Sequence, residues 1–268
     1  MAHKPPILIL TGYGVNCEAE SMHAWKTAGA NPCLVHLHDF IEQPSRLNQF
    51  KILMFIGGFS FGDHMGSGQV MATRLRFKAK DEIVNFIRNG NLVMGVCNGF
   101  QVMVKLGLLP GFDGDYLSRC ITLTHNDCGF FQNFWVNIGF EAKCPCVFTR
   151  GIKTMPLPVR HGEGRIMTLD KNVLNRIEKE HCVVCRYLDT RTGKPAMRFP
   201  DNPNGSLNSI AGLCDPTGRV FGLMPHPEAY LFPENHPQWQ GQKLADLLPK
   251  DGLGLKIFKN AVDYLKKE

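Results

Sequence analysis

The stretch Leu92-Val93-Met94-Gly95-Val96-Cys97-Asn98-Gly99-Phe100-Gln101 decides the fold. Leu92–Val96 is a short apolar run that reads as a buried strand, and an apolar helical pattern opens directly behind it over Gly99–Leu106. Between them Gly95-Val96-Cys97-Asn98-Gly99 spells G-x-C-x-G, the sulfur version of a nucleophile elbow. A nucleophile on a sharp strand-to-helix turn needs small residues two before and two after it, because larger ones would strike the neighbouring backbone. Its sulfur then projects above the sheet edge at a helix N-terminus, whose partial positive charge favours an anion. The plain alternative is a structural cysteine buried in an ordinary turn, and the motif alone leaves the two readings evenly matched.

Working outward, short apolar runs alternate with helical patterns. The runs Ile7–Leu10, Pro32–His36, Ile52–Ile56 and Leu92–Val96 are separated by helix-like stretches at Ala19–Gly29, Met71–Asn89 and Gly99–Leu106. This alternation predicts an α/β fold, doubly wound, with a mainly parallel sheet and helices on both faces. From about Ser118 the pattern changes to strands and turns: Ile121–Thr124, Phe134–Ile138, Val147–Thr149, Arg165–Thr168, Val183–Tyr187, Ser209–Cys214 and Val220–Met224. These predict extra antiparallel or mixed strands. Asp189–Asn208, rich in Pro, Gly and Asn, predicts a long loop or hairpin of the kind that carries function or faces a partner. Gly252–Lys267 predicts a helix with Leu255, Phe258, Val262 and Leu265 on one stripe. No repeat or linker interrupts the chain, so residues 1–268 are expected to form a single domain.

Composition narrows the function. The 268 residues are 44% hydrophobic, enough for one large core. The net charge of +6 is dispersed, without the Lys/Arg clustering of a nucleic-acid footprint. No apolar run approaches the ~20 residues that span a bilayer. Met1–Pro6 leads into a stretch too brief for a signal-peptide core, so the expectation is a cytoplasmic protein that binds neither nucleic acid nor membrane. In that setting the ten cysteines should stay reduced. Cys33, Cys120, Cys182, Cys185 and Cys214 lie in or beside apolar runs and read as small hydrophobes.

A thiol nucleophile needs a base. At the end of another apolar strand stands Pro225-His226-Pro227-Glu228. A residue before proline is pushed to extended conformations, which places His226 and Glu228 on one side of the chain, the carboxylate orienting one ring nitrogen while the other faces Cys97. A lone histidine among ten would more simply be a packed surface residue; its place after a strand, followed by Pro and Glu, favours the triad. Gly57-Gly58-Phe59-Ser60-Phe61-Gly62-Asp63 follows a third strand. A phosphate loop is the competing reading, but no G-K-[ST] follows and the glycine spacing misses G-x-G-x-x-G. An oxyanion hole made of loop N–H groups and that of Asn98 fits better.

Cys97-x-Gly99-x-Gln101 together with His226-Pro227-Glu228 resembles the class I, triad-type glutamine amidotransferases. Within them, Gly57–Asp63 (GGFSFGD), His161–Gly164 (HGEG), Asn202–Ser206 (NPNGS) before Ile210-Ala211-Gly212, and Gly222–Glu228 (GLMPHPE) are similar to the glutaminase subunits of phosphoribosylformylglycinamidine synthase. The ordered resemblance runs from about Ile7 to Glu228 and leaves residues 229–268 as a C-terminal extension. It implies Cys97 as nucleophile, His226 as base and acid, and Glu228 as the orienting carboxylate. It also implies an oxyanion hole at Gly58 and Asn98, with Gln101 positioning glutamine. His161 and Glu163 would belong to a loop beside the glutamine pocket and the partner interface. The implied reaction is hydrolysis of glutamine to glutamate and ammonia through a thioester, in purine biosynthesis. The implied partner is a large synthetase subunit that converts formylglycinamide ribonucleotide to the amidine, with a small bridging subunit as a further partner the resemblance allows. This chain shows no ATP motif and is expected to carry no cofactor, so ATP and magnesium would sit on the synthetase. Two positions depart from the pattern: Phe130 and Ala229 stand where the family usually has Arg. The rival readings are a triad glutaminase serving another synthetase and a catalytically silent regulatory subunit of the same fold.

Cys144-Pro145-Cys146 and Cys182-Val183-Val184-Cys185 invite a zinc reading. Residues three apart on a strand face opposite sides, so Cys182 and Cys185 would not share an ion; packed thiols without metal are the expectation. The Met and Phe residues of Met71–Phe86 read as a core stripe.

Overall fold

The computed structural model describes residues 4–267. In chain order the elements are β1 (Pro6–Thr11), α1 (Glu18–Thr27), β2 (Asn31–His36), α2 (Leu37–Glu42), β3 (Ile52–Phe55), α3 (Gln69–Lys78), α4 (Lys80–Arg88), β4 (Leu92–Val96) and α5 (Asn98–Leu106). Then come β5 (Ile121–Thr124), β6 (Gln132–Phe140), β7 (Thr154–His161), β8 (Arg165–Thr168), α6 (Lys171–Lys179), β9 (Val183–Leu188), β10 (Ile210–Cys214), β11 (Val220–Leu223), α7 (Trp239–Leu244) and α8 (Leu255–Leu265).

One nine-stranded sheet runs β2-β1-β3-β4-β11-β10-β9-β6-β7, and β5 and β8 form a separate pair. Neighbours from β2 to β11 are parallel; from β11 to β7 they are antiparallel. Every residue of β3, β4, β10 and β11 is buried, the mark of strands covered on both faces. β6 mixes buried, half-buried and exposed positions, as an antiparallel strand with a wetter face does. Helix α1 packs on α8 through Trp25 and Phe258, whose rings meet edge-on at 4.9 Å. The fold is therefore the expected α/β architecture, with the antiparallel strands added beyond β11.

Two expectations need correction, and one strand was not anticipated. Met71–Asn89 is two helices, not one, broken at Ala79 (φ −144°, ψ 12°). The apolar spacing Met71, Leu75, Ala79, Ile83, Phe86 runs straight through the break, so periodicity carries no mark of it. Val147–Thr149 is a turn of 3-10 helix rather than a strand. Its backbone is claimed by α8, where Asn260 Nδ2 donates to the carbonyls of Phe148 and Arg150 at 2.9 Å each. The strand β7 was hidden by Pro156 and Pro158. It is the last strand of the sheet, so the missing N–H groups cost no ladder bond.

The tail reaches the site. Helix α8 buries Leu255, Ile257, Phe258, Ala261 and Val262. Just before it, a Cβ on Gly254 would stand 2.0 Å from the carbonyl oxygen of Pro227, so only glycine lets the tail lie against the His226–Glu228 turn. Among the described residues no helix is long and apolar enough to cross a membrane.

Candidate active site

Cys97 leaves β4 at φ 51°, ψ −109°, a conformation L-residues rarely adopt and one that stores strain. The flanking glycines are obligatory. A Cβ on Gly95 would lie 2.3 Å from Met103 Sδ, and one on Gly99 would lie 2.1 Å from the Phe55 carbonyl oxygen. The Cys97 N–H donates to the Leu223 carbonyl at 2.8 Å, which ties the elbow to β11.

Because β11 runs parallel to β4, with Leu223 opposite Val96, the chain leaves β11 beside Cys97. His226 is extended (φ −105°, ψ 92°), and Glu228 follows in a 3-10 turn. Across that turn His226 Nδ1 and Glu228 Oε1 lie 2.6 Å apart, both side chains buried. His226 Nε2 and Glu228 Oε2 form no hydrogen bond among the described residues. Burial acts against a charged imidazole here. The Glu228 carboxylate and the nearby Cys97 and Cys17 thiols outweigh it and hold the His226 pKa well above the ordinary histidine value.

Cys97 and His226 line a cavity of about 220 Å³ together with Gly58, Phe59 and Phe131. One cationic and one anionic residue, Arg160 and Glu20, also line it. Cys97 Sγ lies 3.5 Å from the Arg160 carbonyl oxygen. Cys17 also lines the cavity; burial, then the Glu228 charge, push its pKa up to about 12 against the opposing influence of the nearby His226 ring.

The glycine loop after β3 closes one wall. A Cβ on Gly57 would come within 2.9 Å of both Cys17 Sγ and His226 Cε1. Gly58 has φ +136°, and a Cβ there would sit 2.5 Å from Val15 Cα. The Gly57 carbonyl accepts from the Asn16 N–H at 3.2 Å, so the planar peptide aims the Gly58 N–H the opposite way. The Asn98 N–H opens α5 and is one of the donors a helix start leaves without an intrahelical acceptor. The Asn98 side chain locks loop to helix: Oδ1 accepts from the Ser60 N–H at 3.1 Å, and Nδ2 donates to Asp63 Oδ1 at 3.1 Å.

The remaining expected residues stand behind the cavity wall. Gln101 does not line the cavity. Its Oε1 accepts from Asn98 Nδ2 at 3.0 Å, and its Nε2 donates to the Glu163 carbonyl. Both ends of the amide are thus engaged within the protein and tie α5 to the HGEG loop. Glu163 Oε2 accepts from the Ser67 N–H at 3.2 Å, and Oε1 stands 3.8 Å from His125 Nδ1; it joins loops and does not line the cavity. His161 is buried with Nδ1 3.2 Å from Asn126 Oδ1, and burial followed by the His226 charge lowers its pKa to about 3. The NPNGS segment is scaffold: Asn204 Nδ2 donates to the Gly164 carbonyl at 2.8 Å and to the Tyr187 hydroxyl at 3.1 Å. Phe130 is exposed, and its neighbour Phe131 lines the cavity. Among the described residues one trio, Cys17, His226 and Glu228, brings candidate metal-ligand atoms within 4.8 Å of one another, and two of its members are already paired with each other.

Residues 4–265 match the family of CobB/CobQ-like glutamine amidotransferase domains. The chain belongs to this glutamine amidotransferase family. The match passes Glu228, where the sequence resemblance stopped, and takes in α8. The chain is 41% identical over 270 residues to the phosphoribosylformylglycinamidine synthase subunit PurQ of Methanococcus maripaludis, covering 98% of both chains. It is 41% identical over 264 residues to the same subunit of Dehalococcoides mccartyi, covering 98% of this chain and 99% of that one. Among solved structures, a chain of PurLQS from Thermotoga maritima superposes with a TM-score of 0.70 at 29% identity, covering 98% of this chain and 100% of that one. The glutaminase domain of Trypanosoma brucei CTPS with bound acivicin shares the fold at a TM-score of 0.56 and 12% identity, over 97% of this chain and 94% of that one.

The amidotransferase site also holds residues the sequence reading missed. Glu20 enters from α1, just beyond β1, and Arg160 from β7. For Glu20 a signal existed, since ligands bind outside the carboxyl ends of parallel strands and β1 is one. Arg160 lay in the strand that the prolines concealed.

Proposed function

We propose that the chain is the glutaminase subunit of phosphoribosylformylglycinamidine synthase, the component of this carbon–nitrogen ligase that releases ammonia from glutamine for purine biosynthesis. The observation that carries this reading is the buried His226–Glu228 pair, 2.6 Å apart, sharing one cavity with Cys97 at a strained elbow. Relatives named as that subunit match over nearly the whole chain, which favours this acceptor over another synthetase.

In the reaction, the Cys97 sulfur attacks the side-chain carbonyl carbon of glutamine while His226 holds the thiol proton. Glu228 stabilises the imidazolium and fixes the ring so that Nε2 faces the reacting atoms. The tetrahedral oxyanion is met by the N–H groups of Gly58 and Asn98; one such donor is worth roughly 10²–10³ in rate. Collapse expels the nitrogen, which takes the proton from His226 and leaves as ammonia. Water, deprotonated by the same histidine, then opens the thioester to give glutamate. Arg160 and Glu20 suit the two charges of the amino-acid head group, carboxylate and ammonium respectively, and thereby set how far the side chain reaches toward Cys97.

Ammonia passes to a large synthetase subunit, which would carry ATP and magnesium, and a small bridging subunit completes the assembly; the Thermotoga maritima relative comes from a structure named PurLQS. Ten free cysteines accord with a cytoplasmic setting. A diazo-ketone analogue of glutamine tests the site: mass spectrometry is expected to find a single adduct, on Cys97. An adduct mainly on Cys182 or Cys185 would refute the assignment.

A further inference from the structure

Cysteines outside the active site gather at the far side of β10. Cys144 and Cys146 lie between β6 and β7, Cys182 and Cys185 lie at the start of β9, and Cys214 ends β10. Cys144 Sγ and Cys214 Sγ are 3.4 Å apart, although 70 residues separate them in the chain. A disulfide holds its sulfurs at about 2.05 Å, so closure asks for a shift of roughly 1.4 Å.

The Cys144 side is able to supply that shift. Glu141, Ala142 and Lys143 are exposed, Cys144 itself is half-buried, and one backbone bond, Cys144 N–H to the Glu141 carbonyl at 3.1 Å, closes the turn. Cys214 is fully buried and paired with Phe221 in the sheet, so it stays in place. Cys146 is held more firmly than Cys144. It is buried, and the next N–H, of Val147, donates to the Gly218 carbonyl at 3.0 Å. The chemistry favours the same residue: contact with Cys214 lowers the Cys144 thiol pKa below the ordinary range, while burial pushes Cys182 up to about 12 and Cys185 well above the usual value. Neither Cys144 nor Cys214 lines the glutaminase cavity.

We propose that Cys144 and Cys214 are a peroxide-oxidisable dithiol, a modification site separate from the glutaminase centre, which closes to an intrachain disulfide. The Cys144 thiolate attacks one oxygen of hydrogen peroxide; the O–O bond breaks, a sulfenic acid forms, and hydroxide leaves and is protonated to water. The Cys214 sulfur then attacks the Cys144 sulfur; the S–O bond breaks and the hydroxyl leaves as a second water, carrying the Cys214 proton. Two thiols are oxidised and one peroxide is reduced.

The test treats the full chain with hydrogen peroxide, blocks remaining thiols with an alkylating agent, and digests with trypsin. The expected result is loss of alkylation on both residues and appearance of the tryptic peptide Cys144–Arg150 linked to Phe199–Arg219. Cys144→Ser should abolish the link, Cys146→Ser should retain it, and Cys214→Ala should leave Cys144 as a sulfenic acid that a dimedone probe captures. Cys144 sits in an exposed turn, so its serine variant keeps the test decisive should Cys214→Ala fail to fold. A link that survives Cys144→Ser, or one lost in Cys146→Ser, would overturn the proposal. So would full alkylation of both residues in a wild-type sample whose Cys97 has been oxidised.

Discussion

His226, just beyond β11, and His161, at the end of β7, are both buried, and each has one ring nitrogen engaged and the other without a hydrogen bond among the described residues. Their proton affinities nevertheless move in opposite directions. The partner of His226 is a carboxylate at 2.6 Å, and its pKa rises well above the ordinary value; the partner of His161 is an amide at 3.2 Å, and its pKa falls to about 3. Burial acts against the charged ring in both cases. The difference shows that the Glu228 carboxylate, rather than the depth of the pocket, turns one histidine into a proton carrier and leaves the other a neutral wall. The two are linked, since the His226 charge is itself a reason for the low pKa of His161.

The most direct way to break this contrast is to give His226 the partner that His161 has. Glu228→Gln should lower glutamine-dependent turnover by about 10³–10⁴, the cost of losing the orienting carboxylate in a triad. Circular dichroism should show the fold intact. Turnover within tenfold of wild type would mean that the carboxylate does not set the state of His226.

A smaller effect is expected in the cavity lining. Arg160→Leu should raise KM for glutamine by roughly tenfold, with kcat changed far less, because the contact is made equally in the ground and transition states. Steady-state glutamate release measures it; a fall in kcat at unchanged KM would instead place Arg160 at the reacting atoms.

The smallest effect sharpens the contrast through stability. The folded pKa of His161, about 3, lies below its unfolded value near 6.5, so the unfolded chain binds the proton more readily. The stability present above pH 6.5 is therefore lost as pH falls from about 6.5 toward 3, at about 1.4 kcal/mol per pH unit. The raised pKa of His226 works the other way: its contribution is fully present below about 6.5 and lost as pH rises through the folded value. Urea unfolding at pH 7 and pH 5 should show that His161→Asn removes about 2 kcal/mol of the wild-type loss between them. Identical losses in the two proteins would show that His161 takes up its proton in the folded state.

The contrast also marks how much the sequence revealed. The elbow at Cys97 and the Pro225–Glu228 segment were legible because their requirements are local: glycines at fixed offsets, a proline that fixes the chain, a strand pattern just before each. The opposite behaviour of His161 was not legible, since it depends on burial in the folded chain and on the charge of His226, far away in sequence. The internal bonds of Gln101 and Glu163 were not legible, because an amide that faces a ligand and one that braces a loop look alike in sequence. Most of the sheet was legible from apolar runs. The strand bearing Arg160 was not, since Pro156 and Pro158 read as breakers until their place at the sheet edge is known.

The central claim is that Cys97 takes the acyl group of glutamine while a partner synthetase uses the ammonia. Cys97→Ser in the reconstituted complex separates the two steps in one assay of amidine formation. With glutamine as nitrogen donor, activity should disappear; with ammonium salt as donor, it should remain near the wild-type rate. A mutant complex that still uses glutamine at close to the wild-type rate would contradict the claim.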